Sequence, residues 1–213
     1  MDTSELTDLE RSEAWGGEIR VNLVRLVAIV LFYGRHLIEV MLSPAGSAVR
    51  GRYHLAVTML VVVWTFECVV LHRWLTQRIY ADWMKFAAVL WDAVMITCLC
   101  AIAGGARTPL VLLYFPLIVS GTLRMSLRLV YVTTAAAMLG YLFLLGFYAW
   151  YLVGFHKYYA TPELRIPRSE EAIYLLAMLA MLVSGAFAAQ SVRKMRRMAH
   201  RPASIQSPEP EAT

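Results

Sequence analysis

The chain has 213 residues, 59% of them hydrophobic and only 16% charged, with a mean hydropathy of +0.56 and a formal net charge of +5. A water-soluble domain carries about a quarter charged residues, so this deficit excludes an ordinary soluble enzyme and points to an all-α membrane protein. The positive balance is no argument for nucleic acid, because an anionic membrane leaflet attracts the same residues.

The first 18 residues include Asp2, Glu5, Asp8, Glu10 and Glu13. A secretory signal is basic and then apolar, so residues 1–18 read as a retained, acidic cytoplasmic N-terminus. Six apolar stretches follow, at 19–42, 55–71, 86–103, 109–123, 129–155 and 172–192. About 20 apolar residues cross the hydrocarbon core as a helix, so residues 19–192 are expected to form a six-transmembrane-helix bundle with short loops. The fourth stretch is the weakest, being short, interrupted by Pro116 and ended by Arg124. Residues 193–213 begin basic and continue with Pro202, Pro208 and Pro210, which predicts a disordered cytoplasmic tail. Its basic part, 193–201, suits either a stop-transfer flank or a helical docking surface.

The basic residues set the orientation. With the N-terminus inside, one side collects Arg11, Arg20, Arg25, Arg73, Arg78, Lys85, Arg124, Arg128, Arg193, Lys194, Arg196, Arg197 and Arg201. The other collects Arg50, Arg52, Arg107, Lys157, Arg165 and Arg168, while Arg35 lies within the first span. The positive-inside rule then predicts both termini in the cytoplasm and a multi-pass protein of the inner cell membrane.

Cys68, Cys98 and Cys100 lie inside apolar spans without CxxC or Cys/His metal spacing, and read as small hydrophobes. Neither a phosphate-binding glycine loop nor a zinc-protease or serine-hydrolase motif occurs. No enzymatic activity, catalytic residue, metal site or nucleic-acid partner is therefore expected.

Ionisable groups in lipid are costly and find partners. With alternating span directions and a rise of ~1.5 Å per residue, Arg25, Glu67 and Asp92 come to a common depth, roughly 6–10 Å from the cytoplasmic span ends. They are expected to form a buried cluster joining the first three helices. It reads either as an interhelical clamp or as a proton-sensitive switch, unless Glu67 or Arg25 snorkels to the interface. Towards the other side Arg35, His36 and Glu39 share the first span and His54 opens the second, at the level of the connection after the third span. His36 is a ligand candidate there, or a satisfied structural residue; two isolated histidines carry no haem signature.

Aromatic residues Tyr148, Trp150, Tyr151, Phe155, His156, Tyr158 and Tyr159 suit an interfacial belt or a flat aromatic ligand. Ala135–Ala137 with Gly140, and Gly185 with Ala186, Ala188 and Ala189, provide close-packing faces, within the chain or across a homodimer.

The connection itself reads Gly104-Gly105-Ala106-Arg107-Thr108-Pro109-Leu110. Two glycines allow a sharp exit and close backbone approach. Pro109 fits the first turn of the next helix, and Thr108 is suited to cap it. A helix N-terminus with Arg107 beside it would favour a carbonyl, phenolate or carboxylate. The same residues also suit a well-capped tight turn and nothing more.

A membrane Asp (Asp92), then Gly-Gly, two variable residues, a polar residue, Pro and an apolar run with Tyr114 resembles the six-span sensor region of RegB/PrrB-type membrane histidine kinases, and more distantly of PilS-like sensors. In the RegB type a GGxxNPF segment is associated with quinone sensing. GGARTPL keeps Gly104, Gly105 and Pro109 but has Thr108 for Asn and Leu110 for Phe. The resemblance covers roughly residues 20–193. It implies a sensory input module with a quinone as candidate ligand of Gly104, Gly105, Arg107, Thr108, Pro109 and His36, and a separate kinase or response-regulator-linked protein as partner. Such kinases continue into a phosphorylated-His helical region and an ATP-binding domain, which are not visible here, so the module is expected to lack a catalytic output of its own. The alternatives are a structural or assembly subunit of a membrane complex, or a small transporter, for which repeats and paired broken helices are missing.

Overall fold

The computed structural model describes residues 3–42, 48–77, 81, 83–124, 126–153 and 168–199. Of the disordered tail predicted at 193–213, residues 193–199 instead continue the last helix, while 200–213, and Phe155, His156, Tyr158 and Tyr159 of the aromatic cluster, lie outside the described ranges. Among the described residues there is no strand.

Among the described residues six α-helices follow in chain order: α1 (Thr3–Leu42), α2 (Ala48–Thr76), α3 (Met84–Ile102), α4 (Tyr114–Leu123), α5 (Leu127–Phe147) and α6 (Arg168–Ala199). Two 3₁₀ turns, Gly105–Arg107 and Pro109–Leu113, lead into α4, and a π-helical segment, Tyr148–Val153, continues α5. All but α4 are long and apolar enough to cross a membrane. The stretch Pro109–Leu123 is the short one, as its sequence implies. Its tight first turns rise about 2 Å per residue and the remainder about 1.5 Å, roughly 25 Å in all. That falls a little short of a hydrocarbon core of about 30 Å.

Residues 3–18 and the first span lie on one helix. No proline interrupts 3–18, and α1 runs through Gly16-Gly17 without a break.

The helices divide into two packing units. A four-helix core is built from α3, α4, α5 and α6, with Val89, Ile96, Ile118, Tyr141, Met181 and Val192 among its buried side chains. The α1–α2 hairpin has a small interior of its own, Ile29, Val57, Val61 and Cys68. Trp64 packs against both interiors. Half of the membrane window of α3 is buried, against 22% for α2 and for α6, so α3 is the axis of the bundle.

Small residues let the core helices approach closely, and they do so inside the chain. A Cβ on Gly121 would stand 3.2 Å from Thr133 and Val130 of α5, and one on Gly185 would run into the side chain of Thr134. Ala137, Ala188 and Ala189 are buried in the same core. Of the small residues read from sequence as contact faces, Ala137, Gly140, Gly185, Ala188 and Ala189 meet intrachain neighbours, while Ala135 and Ala186 are exposed.

Candidate functional site

The charged residues come together as their depths predict. Arg25 on α1 is ion-paired with Asp92 on α3, and Glu67 on α2 stands 3.9 Å from the other terminal nitrogen of the guanidinium. The Trp64 indole N–H donates to Asp92 Oδ1 at 3.0 Å, one helical turn before Glu67 on the same helix. The Cys68 thiol is directed at Glu67 Oε2 at 3.6 Å, and Asn22 donates to the backbone carbonyl of Cys68 at 3.0 Å. Arg25 and Asp92 are deeply buried, while the Glu67 side chain keeps 22% of its exposure. The group therefore joins the hairpin to the core: α1 and α2 supply Arg25, Trp64 and Glu67, and α3 supplies Asp92.

A second buried ion pair crosses the same seam. Glu18 on α1 accepts from Arg124 at 2.8 Å, just past the end of α4, with both side chains at most 5% exposed. Arg124 also donates to the carbonyl of Lys85 at 3.3 Å. Sequence reasoning missed this pair by leaving Glu18 in the acidic tail. The signal was present, since Glu18 and Arg124 carry opposite charge at span ends placed on the same membrane side.

The Gly104–Leu110 connection has the local geometry its residues dictate. Gly104 and Gly105 adopt φ of +112° and +76°, a region disfavoured for residues bearing a Cβ. Thr108 is extended and its hydroxyl accepts the Leu110 N–H at 3.4 Å, with Pro109 opening the next turn. Gly105 and Ala106 are buried, and a Cβ on Gly105 would meet the Tyr148 ring at 2.9 Å. Arg107 lies over that ring, 5.6 Å from its centroid, and its Nε donates to the Tyr174 hydroxyl at 3.3 Å. The connection is thus clamped to the end of α5 and the start of α6. Tyr148 and Tyr174 are the residues missed here, because nothing local to 104–110 names them.

The two glycines should differ on substitution. Gly104→Ala meets nothing within 4 Å and bears only the backbone cost, about 1–2 kcal/mol. Gly105→Ala bears that cost and must also displace Tyr148, so its unfolding midpoint in mixed micelles should fall further. Equal losses would mean the ring gives way freely.

His36 does not join this clamp. It is buried between α1 and α2, with Nε2 3.1 Å from His54 Nδ1 and the rings stacked at 5.3 Å. Tyr53 meets its edge at 5.7 Å, and one turn back on α1 Tyr33 is hydrogen-bonded to Thr58 at 3.1 Å. The expected level is right, since Ile102, at the end of α3, and Tyr33 pack against the same hairpin interior. The expected neighbourhood is not: Arg107 turns to α5 and α6, whereas His36 turns to α2. Arg35 and Glu39 are exposed. No group of three or more metal-ligating side chains occurs among the described residues.

The polar groups of GGARTPL are largely engaged with protein. Thr108 caps its own turn and Arg107 is held by two tyrosines, so a bound ring would have to meet the Arg107–Tyr148–Tyr174 group rather than an open loop. The cysteines fit their reading as small hydrophobes, Cys68 and Cys100 being buried and Cys98 exposed.

A helical, multi-pass membrane bundle with a buried ionic seam between hairpin and core is the class these observations define. The chain belongs to the family of the PilS-like transmembrane domain, whose profile matches residues 18–198. No curated protein and no solved structure matches it. Membership of this family makes the chain a membrane sensory input module in general kind.

Proposed function

We propose that the domain senses a membrane-soluble ligand and passes the result to a kinase-bearing or response-regulator-linked partner through displacement of α6. The observation that carries this reading is the clamp: Arg107 ties the connection between α3 and α4 to Tyr174, in the second turn of α6. At ~1.5 Å per residue the 32 residues of α6 reach about 48 Å. Its far end carries Arg193, Lys194, Arg196 and Arg197. A shift of the clamp would therefore be delivered to a basic surface on the opposite side of the membrane, which positive-inside counting assigns to the cytoplasm of an inner-membrane protein.

The Arg25–Glu67–Asp92 group would be the bistable element, because two carboxylates compete for one guanidinium across the seam between hairpin and core. A quinone is the candidate ligand class, on the likeness of GGARTPL to a quinone-associated segment and on the cation held between two tyrosines. On this reading the module would work through its partner and not by chemistry of its own.

The test uses spin labels at the two ends of α6 and at the start of α3 in nanodiscs, with a short-tailed quinone added. Saturable addition should change the label distances, and Arg107→Ala should weaken the response about tenfold, as loss of a charge-assisted hydrogen bond implies. Unchanged distances across quinones of different ring type would sink the quinone version. A stable co-purifying protein lost on deleting residues 193–213, with no ligand response at all, would favour an assembly subunit instead.

A further inference from the structure

The seam between hairpin and core is not closed along its length. Near Gly17 and Glu18, α1 touches the end of α4, where Gly17 faces the Leu123 carbonyl and Glu18 holds Arg124. Beyond that point α1 and α4 diverge around a cleft of about 160 Å³. It runs from Val21 and Leu123 to Phe32 and Leu113, a rise of about 16 Å along α1. Val24, Ala28 and Pro116 on its rim are exposed, so it opens sideways, towards the acyl chains rather than towards water.

The lining is almost wholly apolar, with Arg25, Asp92, Trp64 and Ser120 as the polar exceptions. Arg25 is 91% buried, yet among the described residues its Nε and Nη1 have no hydrogen-bond partner. Glu67, at 3.9 Å from Nη1, is beyond hydrogen-bond length. Charge is nevertheless supplied on the spot by Asp92 and Glu67. The site thus has donors to offer and no positive charge to spare, so an anionic head would add a third negative group around one guanidinium. An uncharged acceptor suits it better. A dry cavity of about 150 Å³ holds a ring the size of benzene, so this volume takes a small head or the first several chain carbons, the rest of the tail lying in lipid.

We infer that the α1–α4 cleft is a lateral binding site for a single-chain lipid whose uncharged head presents a carbonyl oxygen to Arg25. An acyl ester and an isoprenoid quinone share that chemistry. The site stands apart from the α6 reading, because it can be filled whether or not any signal results.

The test places the purified protein in nanodiscs of an ether-linked phosphatidylcholine, which has no carbonyl of its own. Three photoreactive probes of equal chain length are compared: a monoacylglycerol, the matching fatty acid and the matching alkane. The monoacylglycerol should label α1 and α4 about tenfold more than the alkane, the difference one hydrogen bond to a charged donor makes. Ala28→Phe, at an exposed rim position where folding is not at stake, should abolish the excess. Arg25→Lys, which keeps the charge but removes Nε, should lower ester labelling and leave alkane labelling unchanged. Competition by unlabelled monoacylglycerol or by a quinone supports the site and tells the two sources apart; competition by neither overturns it. Equal labelling by ester and alkane, insensitivity to Ala28→Phe, or stronger labelling by the fatty acid would each overturn it too.

Discussion

Arg25→Ala should cost the bundle about 3–5 kcal/mol, the loss that follows when one member of a buried ion pair is removed and the other stays. The reason is the position of Asp92 beneath the hairpin, at the α3 axis, with Trp64 alone left to hydrogen-bond it among the described residues. The carboxylates should not respond equally. Glu67 keeps 22% exposure and can turn towards the interface, so Glu67→Gln should cost no more than about 1 kcal/mol. Arg25→Met combined with Asp92→Asn should recover much of the single-variant loss, because no buried charge is left unpaired and the amide oxygen can still accept from Trp64. Unfolding in mixed detergent micelles, followed by far-ultraviolet circular dichroism, reads these three variants together with the single Arg25→Met and Asp92→Asn. If the losses of Arg25→Met and Asp92→Asn simply add, the two residues are not a functional pair and the seam is held by packing.

That pair is legible in the residue order alone because depth in a membrane is nearly one-dimensional. Span direction and rise per residue fix how far each charge lies from the surface, and charges at equal depth in adjacent spans have few other partners. The same reasoning, extended about two turns outward, would have found Glu18 and Arg124. The geometry of Gly104–Leu110 was legible for a different reason. Positive φ at the glycines, capping by Thr108 and Pro109 at the first turn are local consequences of residue type.

Which helix lies beside which was not legible, and the reason is the solvent. In water an apolar stripe marks the buried face of a helix; in lipid both faces are apolar. Leu139 and Phe143 of α5 are exposed, whereas Tyr141 and Leu144 beside them are buried, and their polarity does not separate the two sets. So the sequence placed Arg107 at the right level but could not say that it would meet Tyr148 and Tyr174, or that His36 would turn to His54. The missing information is azimuthal.

Azimuth is set in this core by glycine, and Gly140 on α5 is the sharpest case. A Cβ there would stand 2.6 Å from Thr97 Oγ1 and 2.8 Å from the Tyr114 hydroxyl, two groups hydrogen-bonded to each other at 2.7 Å. Thr97 belongs to α3 and Tyr114 to the start of α4, so one methyl group would strike the junction of three helices. Neither neighbour is a flexible chain end: Thr97 also donates to the Ala93 carbonyl at 2.6 Å, and Tyr114 is fully buried. Gly140→Ala should therefore destabilise the fold by about 1–3 kcal/mol, the range for overpacking, despite the higher helix propensity of alanine. Gly146→Ala, on the same helix with nothing within 4 Å, is the control and should be neutral or slightly stabilising. Tyr114→Phe removes one of the two struck atoms, so Gly140→Ala/Tyr114→Phe should lose less than the two single losses combined. A cycle closing within about 0.5 kcal/mol of additivity would show that α5 rotates or withdraws instead of pressing on that hydroxyl. A coupling near 1 kcal/mol would fix the rotation of α5 against α3, and with it the direction from which Tyr148 reaches the Gly105 backbone.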